Sequence, residues 1–161
     1  MAGDAALAIT YLPMKARFGM MLAAIWWGSL SALGFVVVPL LFAHLGSPAV
    51  AGAMAAKLFS AQTWLSTACA MLMLLVFSKK DELALLPYAQ AAIKFVVAGL
   101  LLAWLAEFGV AARIVSARAE GGNLKFWHGL GSAMILGQWL CAGLALWRLT
   151  CVPRSAGDSV S

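Results

Sequence analysis

From Phe18 to Ala43 the chain carries no charged side chain. An α-helix rises about 1.5 Å per residue and needs about 20 apolar residues to cross the hydrocarbon of a bilayer, so this run is long enough by itself. Three more runs follow at about Leu58–Ser78, Tyr88–Val110 and Phe126–Trp147. A chain in lipid must satisfy its own backbone N–H and C=O groups, and apolar segments of this length do so as helices. Composition agrees. Only 11% of the 161 residues are charged and 64% are hydrophobic, with a mean hydropathy of +0.95. An ordinary soluble domain is about 25% charged, and at this size it could not hide so much apolar surface from water. The predicted fold is all-α: an integral membrane four-helix bundle forming one domain, residues 18–150.

The boundaries come from charges, glycines and prolines. Residues 1–17 read as a leader, with Lys15 and Arg17 just before the first span, 18–43. That span is too long for the apolar stretch of a secretory signal, so it reads as a retained helix, although Pro48-Ala49-Val50-Ala51 imitates a cleavage site. Gly46, Ser47 and Pro48 stop the first helix. Ala49–Lys57 reads either as a short interfacial helix or as the first turns of the next span, 58–78. Lys79-Lys80-Asp81-Glu82 closes that span, and Pro87 precedes the third, 88–110. Ala111–Lys125 reads as a loop, because it holds Arg113, Arg118, Glu120 and Gly121-Gly122-Asn123. The fourth span, 126–147, ends before Arg148. Residues 151–161, with Pro153, read as a flexible polar tail.

Lysines and arginines in short loops set orientation. One side gathers Lys15, Arg17, Lys79, Lys80, Arg148 and Arg154, joined by Lys94 if its stem snorkels. The other side has Lys57, Arg113, Arg118 and Lys125. This balance places both termini in the cytoplasm, with the protein multi-pass in an inner membrane. The net charge of +5 is scattered rather than gathered on one face, which argues against nucleic-acid binding. Cys69, Cys141 and Cys151 follow no redox or metal spacing.

In lipid, helices associate by close packing at small residues and by polar contacts. Ala24-Gly28-Ala32, Gly99-Ala103 and Gly129-Ala133-Gly137 recur at helical spacing and are expected to be helix-contact faces within the bundle. Pro39 lies inside the first span and predicts a kink. Trp127 and Trp147 near opposite ends of the fourth span, together with Lys94, suit membrane-interface anchoring. Trp26, Trp27 and Trp139 lie deeper and suit packing or lipid contact.

Polar residues far apart in sequence are expected to meet at the outer membrane face: His44, Gln62, Glu107, Arg113 and His128. Ionisable groups near the apolar layer are costly and need partners, so each is a candidate site residue. Three readings stand. The cluster is a structural network, with Glu107 paired to Arg113 or Lys57. It gates a proton, ion or small solute. Or His44 and His128 hold a transition metal or haem. P-loop, dinucleotide, H-E-x-x-H and G-x-S-x-G signatures are absent from the sequence. No catalytic residue is assigned, and an enzymatic activity would take the form of redox chemistry on a haem or quinone held between helices.

The run Trp27-Gly28-Ser29-Leu30 through Gly34-Phe35-Val36-Val37-Val38-Pro39-Leu40-Leu41-Phe42 resembles the opening of the transmembrane protein 205-like family. These are small membrane proteins with many bacterial relatives, grouped as a domain of unknown function. Ala51-Gly52-Ala53, Phe59 and Phe126-Trp127-His128-Gly129-Leu130 are similar to further family elements. The asparagine that often follows the last of them is missing from Ser132–Gln138. The resemblance implies four membrane helices and marks Pro39, Phe42 and His128, without implying a reaction. The expected role is that of a bundle of unassigned activity, surrounded by membrane lipids and acting as a homo-oligomer or an accessory subunit of a larger complex. A haem- or metal-binding redox protein and a small-solute or ion transporter are the alternatives.

Overall fold

The computed structural model describes residues 14–77 and 87–151. Among them are four long helices and no strand, each helix apolar and long enough to cross a bilayer. Helix α1 is Met14–His44 and α2 is Pro48–Val76. Helix α3 begins as Pro87–Trp104, widens through Leu105–Ala111 and ends as Ala112–Glu120. Helix α4 is Leu124–Thr150. Most of the leader, the Lys79–Glu82 stretch and the tail beyond Cys151 lie outside the described residues.

The turns are short because their residues stop and start helices efficiently. Ser47 caps α2 by accepting the Ala49 N–H, and Pro48 occupies the first turn, where no backbone donor is needed. Ala49–Lys57 is therefore the beginning of α2. Gly121 ends α3 in the left-handed conformation (φ 75°), which glycine adopts without steric cost. The Gly122 N–H then bonds the Ala117 carbonyl at 2.9 Å. Asn123 accepts the Phe126 N–H at 3.0 Å and starts α4.

The loop expected over Ala111–Lys125 is thus confined to Gly121-Gly122-Asn123, and α3 runs on through Arg113 and Arg118. Charge does not oppose helix formation, since arginine is a good helix former. It opposes only burial, and both arginines are exposed.

Pro39 shifts the hydrogen-bond ladder. It offers no N–H to the Phe35 carbonyl, and its ring crowds that oxygen. The chain responds with a wide π turn over Leu33–Val37, in which the Val38 N–H reaches back to Leu33 O.

Consecutive helices are antiparallel, and α1 closes the ring against α4. The principal packed pairs are α1–α2, α2–α3, α3–α4 and α1–α4. The tight core sits towards the end where α1 begins and α4 ends, here called the proximal end. It gathers Leu22, Ala23, Trp26 and Leu30 with Cys69, Ala70, Met73 and Phe77, and with Val96, Ala142, Ala145 and Leu149 from the other two helices. Trp26 is fully buried and fits because Gly99 has no side chain: a Cβ there would stand 2.9 Å from the indole. The distal half is thinly packed. Beyond Leu33, α1 buries no side chain completely.

The small-residue stripes divide. Gly99 and Ala103 are buried as contact residues, whereas Ala24, Gly28 and Ala32 all face outward, and among the described residues no atom of a neighbouring helix lies within 4 Å of a Cβ placed on Gly28. On α4, Gly129 and Ala133 also face outward, while Gly137 approaches Leu102. The α1 stripe expected inside the bundle is on its outside. Small residues mark a surface that permits close approach, and the remaining contacts decide whether the approaching helix belongs to the same chain.

Candidate functional site

A polar layer crosses the middle of the bundle. Its serines first satisfy themselves within their own helices, as hydroxyls in an apolar setting do. Ser66 donates to the Gln62 carbonyl at 2.8 Å, and Ser29 to the Trp26 carbonyl at 2.9 Å. With each hydroxyl proton committed, their oxygens can only accept. The Gln62 Nε2 donates to Ser29 at 2.9 Å and to Ser66 at 3.3 Å, and the Gln138 Nε2 donates to Ser66 at 3.0 Å. The amide orientations agree with this, because an amide N–H, unlike a carbonyl, can bond an oxygen whose proton is already given elsewhere.

Ser66 is the hub, donating once and accepting twice, and it ties α2 to α4 directly and to α1 through Gln62. Gln62, Ser66 and Gln138 are all buried. The two amide carbonyl oxygens, Gln62 Oε1 and Gln138 Oε1, accept no hydrogen bond among the described residues. They are the layer's free valences.

A second contact extends the layer to α3. The Ser60 hydroxyl donates to Glu107 Oε1 at 2.6 Å. Glu107 lies in the wide turn Leu105–Ala111, whose departure from α-helical spacing alters the facing of the residues that follow. Trp104 Nε1 donates to Thr67 at 3.0 Å, and Trp139 Nε1 to Ser31 at 2.8 Å. One buried group stands apart. Trp26 Nε1 has no partner among the described residues.

The expected outer cluster is placed differently. His44 ends α1 and His128 lies in the first turns of α4, and both are exposed. Arg113 is exposed, with its guanidinium 5.9 Å from the centre of the Trp127 ring. Glu107 is half-buried against Ser60, and Gln62 lies deeper among the serines. Among the described residues no hydrogen bond joins any two of these five. Because α3 continues to Glu120, Glu107 sits near the middle of its helix, about 20 Å along the axis from the end. Its partner is the Ser60 hydroxyl, rather than the Arg113 or Lys57 cation expected from charge.

Among the described residues, no group of three or more His, Cys, Asp or Glu side chains is arranged to hold a metal ion. Lys94 and Trp147 are exposed, and Trp127 is half-buried. Sequence reasoning missed Ser29, Ser60, Ser66 and Gln138. The available signal was Gln62 and Gln138, two amides inside apolar runs where an unpaired amide is costly.

Residues 21–123 match a domain family described only as a domain of unknown function, DUF4149. The chain belongs to the DUF4149 family. The matched stretch runs from the second turn of α1 to the cap of α4, so it contains Pro39, Gln62, Ser66 and Glu107 but not His128 or Gln138. No curated protein and no solved structure matches the chain.

Proposed function

We propose that this DUF4149 protein is a subunit-type membrane bundle that works as a homo-oligomer, assembled through the Ala24-Gly28-Ala32 face of α1. The observation that carries this reading is the open face itself. Lipid offers helices no hydrophobic drive to associate, so they meet where small residues let backbones approach. Among the described residues that face meets nothing at Gly28. A second copy of α1 against it would gain the close packing that the monomer leaves unused. The resemblance to transmembrane protein 205-like proteins agrees with a small multi-pass bundle. The basic residues at the proximal end favour an inner membrane with both termini in the cytoplasm.

Single-molecule counting of a fluorescently tagged chain in lipid vesicles tests the assembly. Dimers or larger species in the wild type, shifted to monomers by Gly28→Leu, are expected. Monomers at every protein-to-lipid ratio would end the proposal.

A second reading, a small-solute or proton path, draws on the free carbonyl oxygens of Gln62 and Gln138 beneath the thinly packed distal half. The tight proximal core would be its closed gate. Vesicles loaded with a pH-sensitive dye distinguish the two: flux lost in Gln138→Leu supports a path, and wild-type vesicles no leakier than empty ones remove it. The haem or metal alternative gains no support from the placement of His44 and His128.

A further inference from the structure

Hydroxyls within these helices share a habit. Ser29, Ser31, Thr63, Ser66, Thr67 and Ser132 each donate to a carbonyl three or four residues earlier in their own helix. This is how a hydroxyl satisfies itself away from water. Ser60 departs from it. Its proton goes to a different helix, to Glu107 Oε1 at 2.6 Å, a length typical of a hydroxyl held by a carboxylate.

Of the six acids in the sequence, only Glu107 falls within one of the four apolar runs. Its partner Ser60 lies about 18 Å from the start of α2, so the pair sits well inside both helices. Tying α2 to α3 does not require an acid, because a glutamine would accept the same bond without the cost of a charge. The wide turn that carries Glu107 packs against α2 and α4. The titratable groups of those helices in the distal half are Lys57, Lys125 and His128, and Arg113, Arg118 and Glu120 follow on α3. All six are exposed. Among the described residues none of them pairs with Glu107, which is held by the Ser60 hydroxyl.

We propose that Ser60 and Glu107 form a proton-binding site inside the bundle, with two hydrogen-bonded states. In the charged state Ser60 donates to the carboxylate, the arrangement observed. When a proton arrives, the carboxyl gains an O–H donor and turns it onto Ser60 Oγ. Ser60 then gives its own proton to the Ala56 carbonyl four residues earlier, as its neighbours do. One proton is gained, nothing else is exchanged, and the α2–α3 contact survives in both states. The site also lies within reach of the lipid. Glu107 is half-buried, and Trp104 and Phe108 beside it are 47% and 62% exposed. The proposal rests neither on assembly through α1 nor on a path past Gln62 and Gln138.

Dicyclohexylcarbodiimide, an apolar reagent that attacks carboxylic acids, tests this on the full chain in vesicles. The acid proton passes to a reagent nitrogen and the carboxyl oxygen adds to the central carbon. The acyl group then moves to nitrogen, leaving an N-acylurea with nothing expelled. Mass spectrometry is expected to find this adduct on Glu107, formed faster as the pH is lowered. At a pH where the wild type reacts slowly because it is charged, Ser60→Ala should react about tenfold faster, having lost one hydrogen bond to the charged form. Ser60→Thr should keep the wild-type rate. Gly28→Leu and Gln138→Leu should leave the reaction unchanged, which separates this site from assembly and from a solute path. An unmodified Glu107 at every pH would overturn the site, as would a water-soluble carbodiimide reacting as fast as the apolar one. Equal rates in the wild type and Ser60→Ala would remove Ser60 from it and end the two-state exchange.

Discussion

The Gln138 amide donates to Ser66 Oγ at 3.0 Å, joining α4 to α2 across 72 positions of sequence. Ser66 also receives the Gln62 amide of its own helix, and that amide reaches Ser29 of α1, so two neighbouring side chains of α2 link three helices. In a bundle packed mostly through apolar side chains, this directional bond restricts how the helices can slide or rotate.

Ser66→Ala is expected to lower stability by about 1–2 kcal/mol, because it removes one acceptor shared by two buried amides. Gln138→Leu should cost less, since it removes the buried amide itself and leaves Ser66 still accepting from Gln62. The double variant should lose less than the sum, a coupling readable from thermal melts in mild detergent. Strict additivity would mean that the Gln138–Ser66 bond contributes nothing.

Glu107 gives a sharper distinction. With a serine hydroxyl as partner, Glu107→Gln keeps an acceptor in place and should leave the melting temperature nearly unchanged. Glu107→Ala should cost about 1 kcal/mol or less, the range of single polar contacts between membrane helices. Arg113→Gln should show no coupling to either. A coupling above about 1 kcal/mol between Glu107 and Arg113 would restore the ion pair expected from charge and displace Ser60 as the partner.

Gly99 tests the proximal core. A methyl there would meet Trp26 at 2.9 Å and the Cys141 Cβ at 3.1 Å. Overpacking of this kind typically costs about 1–3 kcal/mol, so Gly99→Ala should melt earlier. Gly28→Ala, with open space around the new methyl, should be neutral or slightly stabilising for the monomer through helix propensity. Equal effects at the two glycines would mean that Trp26 is not seated against Gly99.

The fold was largely legible, and the candidate site was only partly so. Pro39 announced a disturbance of α1 that the structure realises as the Leu33–Val37 turn. Glu107 and Gln62 were recognisable as polar residues needing partners, but the partners were not. Serines are common in membrane helices; Ser66 and Ser29 satisfy their protons on their own backbone and Ser60 donates to Glu107, so nothing in the sequence marks any of them as a partner. The boundary of α3 was misplaced because arginines were read as a loop, although a helix can carry charge beyond the lipid.

What the sequence determined by itself is the number of helices, their antiparallel order and their membrane setting. These follow from uncharged length and from connections too short for anything but an antiparallel return, such as the one at Gly46-Ser47-Pro48. What only the tertiary structure decided is which face of each helix turns inward. In water an apolar face is a buried face, so periodicity reports orientation. In lipid both sides of a helix are apolar, and Trp26 and Trp27 are equally plausible core residues until packing chooses. It buries Trp26 against Gly99, turns Trp27 towards Gly143 and the lipid, and leaves Gly28 facing outward. The fit of neighbouring side chains made that choice, and hydropathy could not have encoded it.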